Sequence, residues 1–170
     1  DSDPFSHQVL INKGALDGVY NGQPVINDQG VVGQVLHVGS TTSRVLLITD
    51  SSHGIPVRVL RNDLRAIASG SGELDKLELR NLPRNTDVQV GDLLVTSGLG
   101  GRFPEGYPVA TVTRSEYVEG KPFAQVEAKP LVELDRLRYL LLLWTDKKPE
   151  VHDEDGEQAA PAASAAGATR

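Results

Sequence analysis

Lys76-Leu77-Glu78-Leu79-Arg80-Asn81-Leu82 alternates apolar and polar side chains for most of its length. A period of two marks a strand with one face on a core, so Leu77 and Leu79 point inward and the charges point to water. Leu82 falls out of phase at the strand end. The same chemistry recurs in both directions as short Val- and Ile-rich runs bounded by Gly, Pro, Asn and Asp. On the N-terminal side they are Val9–Asn12, Pro24–Asn27, Val31–Val38, Arg44–Thr49, Ile55–Leu60 and Arg65–Ala68. On the C-terminal side they are Leu93–Thr96, Pro108–Arg114, Phe123–Ala128 and Tyr139–Trp144. Their spacing is near the ~8–12 residues of sandwiches and barrels. Asn27-Asp28-Gln29-Gly30 and Gly70-Ser71-Gly72 supply turns. Only Leu131, Leu134 and Leu137 hint at helical spacing, which predicts one or two helical turns before the last strand.

A weak repeat lies inside this pattern. Asn21-Gly22-Gln23-Pro24-Val25-Ile26 resembles Val90-Gly91-Asp92-Leu93-Leu94-Val95, and a Val-bearing strand follows each. Two related units are expected, so the fold class is all-β: two small six-stranded β-barrels. The division that uses the N-terminal strand assigns 7–20 plus 87–145 to a discontinuous first barrel and 21–86 to an inserted second one. A single cut near Pro83 is the plainer alternative. Residues 146–170 differ in kind. They carry six acids against three bases, half of the net charge of −6, and then an Ala-rich run. Such a segment buries too little apolar surface to offset its ordering entropy, so a disordered tail is expected.

The chain has 170 residues, no Cys and no Met. Disulfides, Cys-ligated metals and thiol chemistry are excluded. The missing Met includes the initiator, so the chain is expected to be part of a longer protein. The acidic balance gives no footprint for nucleic acid. No run approaches the roughly 20 apolar residues of a membrane span.

Two small barrels with His53, then Asp63 or Asp87, then Ser97 follow the chain order of a chymotrypsin-type triad. The match is poor, because Val95-Thr96 precedes Ser97 where those proteases have Gly-Asp. His53 then orders a turn and Ser97 belongs to a hairpin. Gly98 to Gly106 invites a phosphate-loop reading but lacks a following helix, which favours a wide β-connection around a buried Phe103. His7, His37, His53 and His152 show no ligand spacing. No cofactor or metal is expected. Arg58, Arg61 and Arg65 read as a solvated strand face. What remains is surface for protein partners: aromatics beside turns as anchors, and open strand edges for strand addition.

These residues resemble a known family. Ser6-His7-Gln8-Val9-Leu10-Ile11-Asn12-Lys13-Gly14 with Asp17-Gly18-Val19, Thr42-Ser43-Arg44-Val45-Leu46-Leu47-Ile48-Thr49-Asp50 and Ser52-His53-Gly54-Ile55-Pro56-Val57 are similar to the globular part of the MreC family of rod shape-determining proteins. Val90 to Val109, with Thr96-Ser97-Gly98-Leu99-Gly100-Gly101-Arg102-Phe103-Pro104-Glu105-Gly106, is the most specific stretch. The similarity runs from Phe5 to Trp144 and is to the proteobacterial type. The resemblance implies a non-enzymatic periplasmic scaffold with chymotrypsin-like barrels and no catalytic site. It implies an inner-membrane anchor by an N-terminal helix preceding this sequence. It also implies self-association as a dimer or filament, a class B penicillin-binding protein as partner, and a link to MreD and the MreB system. Phe103, Tyr107 and Tyr117 are the expected protein-interface anchors. The alternatives are a chymotrypsin-fold serine hydrolase and a carbohydrate-binding module for cell-wall glycan.

Overall fold

The computed structural model describes residues 7–145, and a strand lies on each of the eleven expected runs. They are β1 (Gln8–Ile11), β2 (Pro24–Ile26), β3 (Val31–Val38), β4 (Ser43–Leu47), β5 (Gly54–Val59) and β6 (Arg65–Gly70). Then come β7 (Leu77–Arg80), β8 (Leu93–Thr96), β9 (Pro108–Glu116), β10 (Gln125–Pro130) and β11 (Leu141–Leu142). The expected tail, 146–170, lies outside the described residues.

The architecture is all-β, as expected, with two unlike halves. Strands β5 to β10 close into a barrel of order β10-β7-β6-β5-β8-β9, in which β9 pairs back with β10. The other half is a five-stranded sheet of order β1-β4-β3-β2-β11. Among the described residues it has no sixth strand, and β1 and β11 each pair on one side only, with β4 and β2. The pairing also draws the boundary between halves elsewhere than expected. β1 and β11 do share one discontinuous unit, but β2, β3 and β4 join them, and β8, β9 and β10 belong to the inserted barrel. The physical reason is local. β1 finds its partner in β4, matching Gln8 to Leu46 and Ile11 to Ser43, so four strands of this unit are paired before β5 begins and β11 is added after the barrel.

The repeat is realised in detail. Gly22 and Gly91 both sit at positive φ, 85° and 94°, where a side chain is strained. Gly22 N donates to Val35 O and Gly91 N to Val112 O; Val35 N then returns a bond to Gln23 O and Val112 N to Asp92 O. The side chains of Gln23 and Asp92 each accept from the backbone N–H three residues upstream, at Tyr20 and Gln89. One turn-and-strand device therefore opens β2–β3 in the sheet and β8–β9 in the barrel.

Leu77 and Leu79 face the barrel core as their alternation predicts. Leu82 is buried too, because Asn81 takes φ 61° and turns the chain back inward. Val132 and Leu134 are buried, but 131–140 forms turns and extended chain where helical turns were expected. Apolar contacts, not helical hydrogen bonds, hold that segment. One contiguous core runs through both halves, with Val25, Val35 and Val45 from the sheet and Ile55, Leu77, Leu94 and Val126 from the barrel. Each such side chain contributes about 1.5–3 kcal/mol when fully buried.

Candidate interaction surface

The seam between the halves contains His53, in the connection from β4 to β5. Its ring is buried, and Nε2 lies 2.8 Å from Oε1 of Gln34 on β3. Gln34 donates through its own Nε2 to Gly22 O at 3.0 Å, so its Oε1 can only accept. The imidazole proton therefore sits on Nε2. Nδ1 is bare, with no hydrogen-bond partner among the described residues. Burial pushes the His53 pKa down to about 4, against the opposing pull of Asp50, and the Arg102 charge adds to the fall. His53 is a neutral imidazole that ties β3 to the barrel entrance.

No triad assembles around it. Asp63 pairs with Arg58 at 3.2 Å and Asp87 with Arg61 at 3.0 Å. The carboxylate that does lie near His53 is Asp50, which sequence order had passed over. Asp50 accepts from the amides of His7 (2.8 Å) and Ser52 (2.9 Å) and from the Ser52 hydroxyl (2.6 Å). Burial raises its pKa, and these bonds with the His7 charge bring it below the usual carboxylate range. Ser97 is buried, and its Oγ accepts from Leu99 N at 3.3 Å. Each candidate is thus engaged in local structure, as the turn and hairpin readings required.

The Gly-rich stretch is the β8–β9 connection. Thr96 cinches it, donating to Pro104 O at 2.6 Å and accepting from Tyr107 N at 2.9 Å. Phe103 is buried within it, so this residue is a plug and cannot anchor a partner at the surface. Tyr107 is half-buried against the core. Tyr117 alone of the three stands open, with the Arg84 guanidinium 4.3 Å from its ring centroid. The basic concentration is largely neutralised: Arg58 meets Asp63 and Glu105, and Arg61 bridges Asp87 and Asp92. Hydrogen bonds from Arg61 hold Asp92 and Asp87 below the usual carboxylate range. Among the described residues no cluster of His, Asp and Glu could hold a metal, and no helix is long and apolar enough to cross a membrane.

The sequence pointed to aromatics and to open strand edges without saying which edge stays open, and the pairing places it at β1 and β11. Leu10 on β1 is 65% exposed, Tyr139 67% and Leu141 on β11 54%. Val9, Leu10 and Ile11 line one groove together with Leu137, Tyr139 and Leu140. The signal was present in Gln8-Val9-Leu10-Ile11, four consecutive residues without a charge, but only the pairing shows that they form an edge. Exposed apolar side chains gathered at a sheet edge mark a surface that can take up protein.

Comparison with known proteins adds to this geometry. A family model described as rod shape-determining protein MreC, barrel core, matches residues 1–144. The cell shape-determining protein MreC of Escherichia coli K12 is 59% identical over 143 residues, which is 84% of this chain and 39% of that protein. The chain thus spans about two-fifths of the length of that relative. The crystal structure of MreC from Pseudomonas aeruginosa is 52% identical, with a TM-score of 0.81 over 85% of this chain and 93% of that one. Two more distant structures share the fold. One is the major periplasmic domain of the cell shape-determining filament MreC, 22% identical with a TM-score of 0.63 over 75% of this chain and 80% of that one. The other is MreC from Helicobacter pylori in complex with the penicillin-binding protein PBP2, 16% identical with a TM-score of 0.61 over 80% and 85%.

Proposed function

The chain belongs to the MreC family of rod shape-determining proteins, and on that premise we propose that it is a non-enzymatic scaffold of the cell-elongation machinery. It presents surfaces of the sheet and barrel to a class B penicillin-binding protein and to copies of itself, in the periplasm. An N-terminal membrane helix of the full protein anchors it and links it to MreD and the MreB system. The observation that carries this reading is family membership together with the fold shared with the Helicobacter pylori protein in complex with PBP2. The filament described for a more distant relative supports self-association. Tyr117 remains as an anchor candidate on the barrel. The scaffold acts by population shift: binding one conformation of the transpeptidase more tightly enriches it.

Sedimentation velocity of this chain, alone and with the periplasmic part of a class B penicillin-binding protein, tests the proposal. A heavier species on mixing is expected. A strict monomer whose sedimentation the transpeptidase leaves unchanged contradicts it. The hydrolase reading has lost its geometric support, since Ser97 and His53 are bonded to other groups. An active-site serine probe that labelled Ser97, with the label lost in His53→Ala, would revive it. Retention of the chain on purified peptidoglycan without other proteins would favour the glycan-binding alternative.

A further inference from the structure

Among the described residues the open sheet has two free edges, and β1 is the longer, with four residues against two in β11. Its pairing with β4 fixes which backbone groups are spent. Leu47 N donates to His7 O, and the register places Val9 opposite Val45 and Ile11 opposite Ser43. Alternation along an antiparallel pair then turns the N–H and C=O of Gln8 and Leu10 outward, away from β4. Proteins usually blunt such an edge with a lysine, a proline, a bulge or an inward charge. β1 has none of these: it is uncharged, contains no Pro and runs beside β4 without a register shift.

A groove of about 370 Å³ lies along this edge, and the segment leading into β11 forms its other wall. The lining is apolar except for Asn12, Lys13 and Arg138, so both of its charges are positive in a chain of net charge −6. We propose that this edge receives an extended segment of a partner protein as an added strand beside β1. The segment carries apolar side chains at alternate positions and a carboxylate that meets Lys13 or Arg138. Main-chain bonds to Gln8 and Leu10 supply affinity, and the alternate side chains and the carboxylate supply selectivity. A second copy of this chain suits the groove less well. In an antiparallel pairing of two β1 edges each copy offers the other only Gln8–Ile11, a strand with no carboxylate to meet Lys13 or Arg138. The chain's own residues 146–170 offer carboxylates but only Val151 and Thr169 as β-branched residues. The inference deepens the scaffold function proposed above and rests on it.

The test titrates ¹⁵N-labelled full chain with a synthetic peptide that alternates valine and threonine and bears glutamate at both ends. A lysine-ended version is the control. The glutamate-ended peptide should shift the amide signals of Gln8 and Leu10 and bind at least roughly tenfold more tightly than the control. Leu10→Pro should abolish binding at an unchanged melting temperature, because the lost N–H points away from β4. Should that variant fail to fold, Arg138→Glu carries the test, by reversing the preference between the two peptides. Equal binding of the peptides, or shifts confined to β5–β10, overturns the proposal. So does a concentration-dependent dimer that Leu10→Pro dissolves, since the occupant is then a second copy. Peptide binding that appears only after removal of 146–170 would make the chain's own tail the occupant and overturns it too. A transpeptidase complex that survives Leu10→Pro would remove this site and leave the scaffold function standing. Absence of any such complex, with peptide binding intact, would do the reverse.

Discussion

The closed barrel and the open sheet start from the same turn-and-strand device, yet they use one position of it differently. In the sheet that position is Gln23, fully buried and neutral, whose Nε2 donates to Leu143 O at 3.1 Å and so ties down the chain after β11. In the barrel it is Asp92, which receives Arg61 at 2.9 Å and through it Asp87. An amide suits a site with no access to water, because a carboxylate there would lack a compensating cation. A carboxylate suits the barrel rim, where Arg61 is half in solvent and can fasten the β5–β6 turn to the 87–92 loop. The barrel strands pair all the way round and leave no edge. The sheet keeps its core but leaves β1 open. Rigidity and availability are thus divided between two variants of one unit.

The largest effect expected from this contrast comes from exchanging the two chemistries. Gln23→Glu should destabilise the chain by about 4 kcal/mol, as an uncompensated buried charge does, read by urea denaturation. An unchanged midpoint would mean that the position reaches water. The seam should respond to pH next. His53 sits near 4 in the folded chain against 6.5 when free, so the unfolded chain binds more protons between those values. Stability from the neutral ring is fully present above pH 6.5 and is lost as pH falls toward 4. The loss should reach about 3 kcal/mol, and His53→Gln should flatten that part of the profile. Gly70→Ala comes third. Its added methyl would collide with the Asp50 carbonyl where barrel meets connection, costing about 2 kcal/mol in thermal melting. Asp92→Asn should cost about 1 kcal/mol, by weakening a charge-assisted bond that Arg61 still shares with Asp87. Leu10→Asp, on the open edge, should stay within about 0.5 kcal/mol of the parent. A large loss there would show that β1 is covered within the chain itself.

Strand positions were legible because β-branched runs and turn residues report local geometry directly. Even the weak repeat at Gly22 and Gly91 proved to mark the same hydrogen-bonded turn. Pairing partners were less legible. Nothing in Val9-Leu10-Ile11 states that β4 lies beside it, because register depends on which buried faces meet across the fold. That is why the expected division of the chain separated β1 from β2, β3 and β4. The helical spacing of Leu131, Leu134 and Leu137 misled for a related reason, since burial of Val132 and Leu134 in turns satisfies the same apolar residues. The interface guesses ranked aromatics by type and position. Burial then separated Phe103 from Tyr117, and the exposed edge is carried by Leu10 with Tyr139, an aromatic outside the three expected anchors.

Hydrogen–deuterium exchange on this chain, with and without the periplasmic part of a class B penicillin-binding protein, measures most directly whether the open half is the side that meets partners. Slowed exchange at the outward amides of Gln8, Leu10 and Leu142, with β5 to β10 unchanged, is the predicted result. Protection confined to the barrel strands, with β1 exchanging as in the free chain, would contradict it.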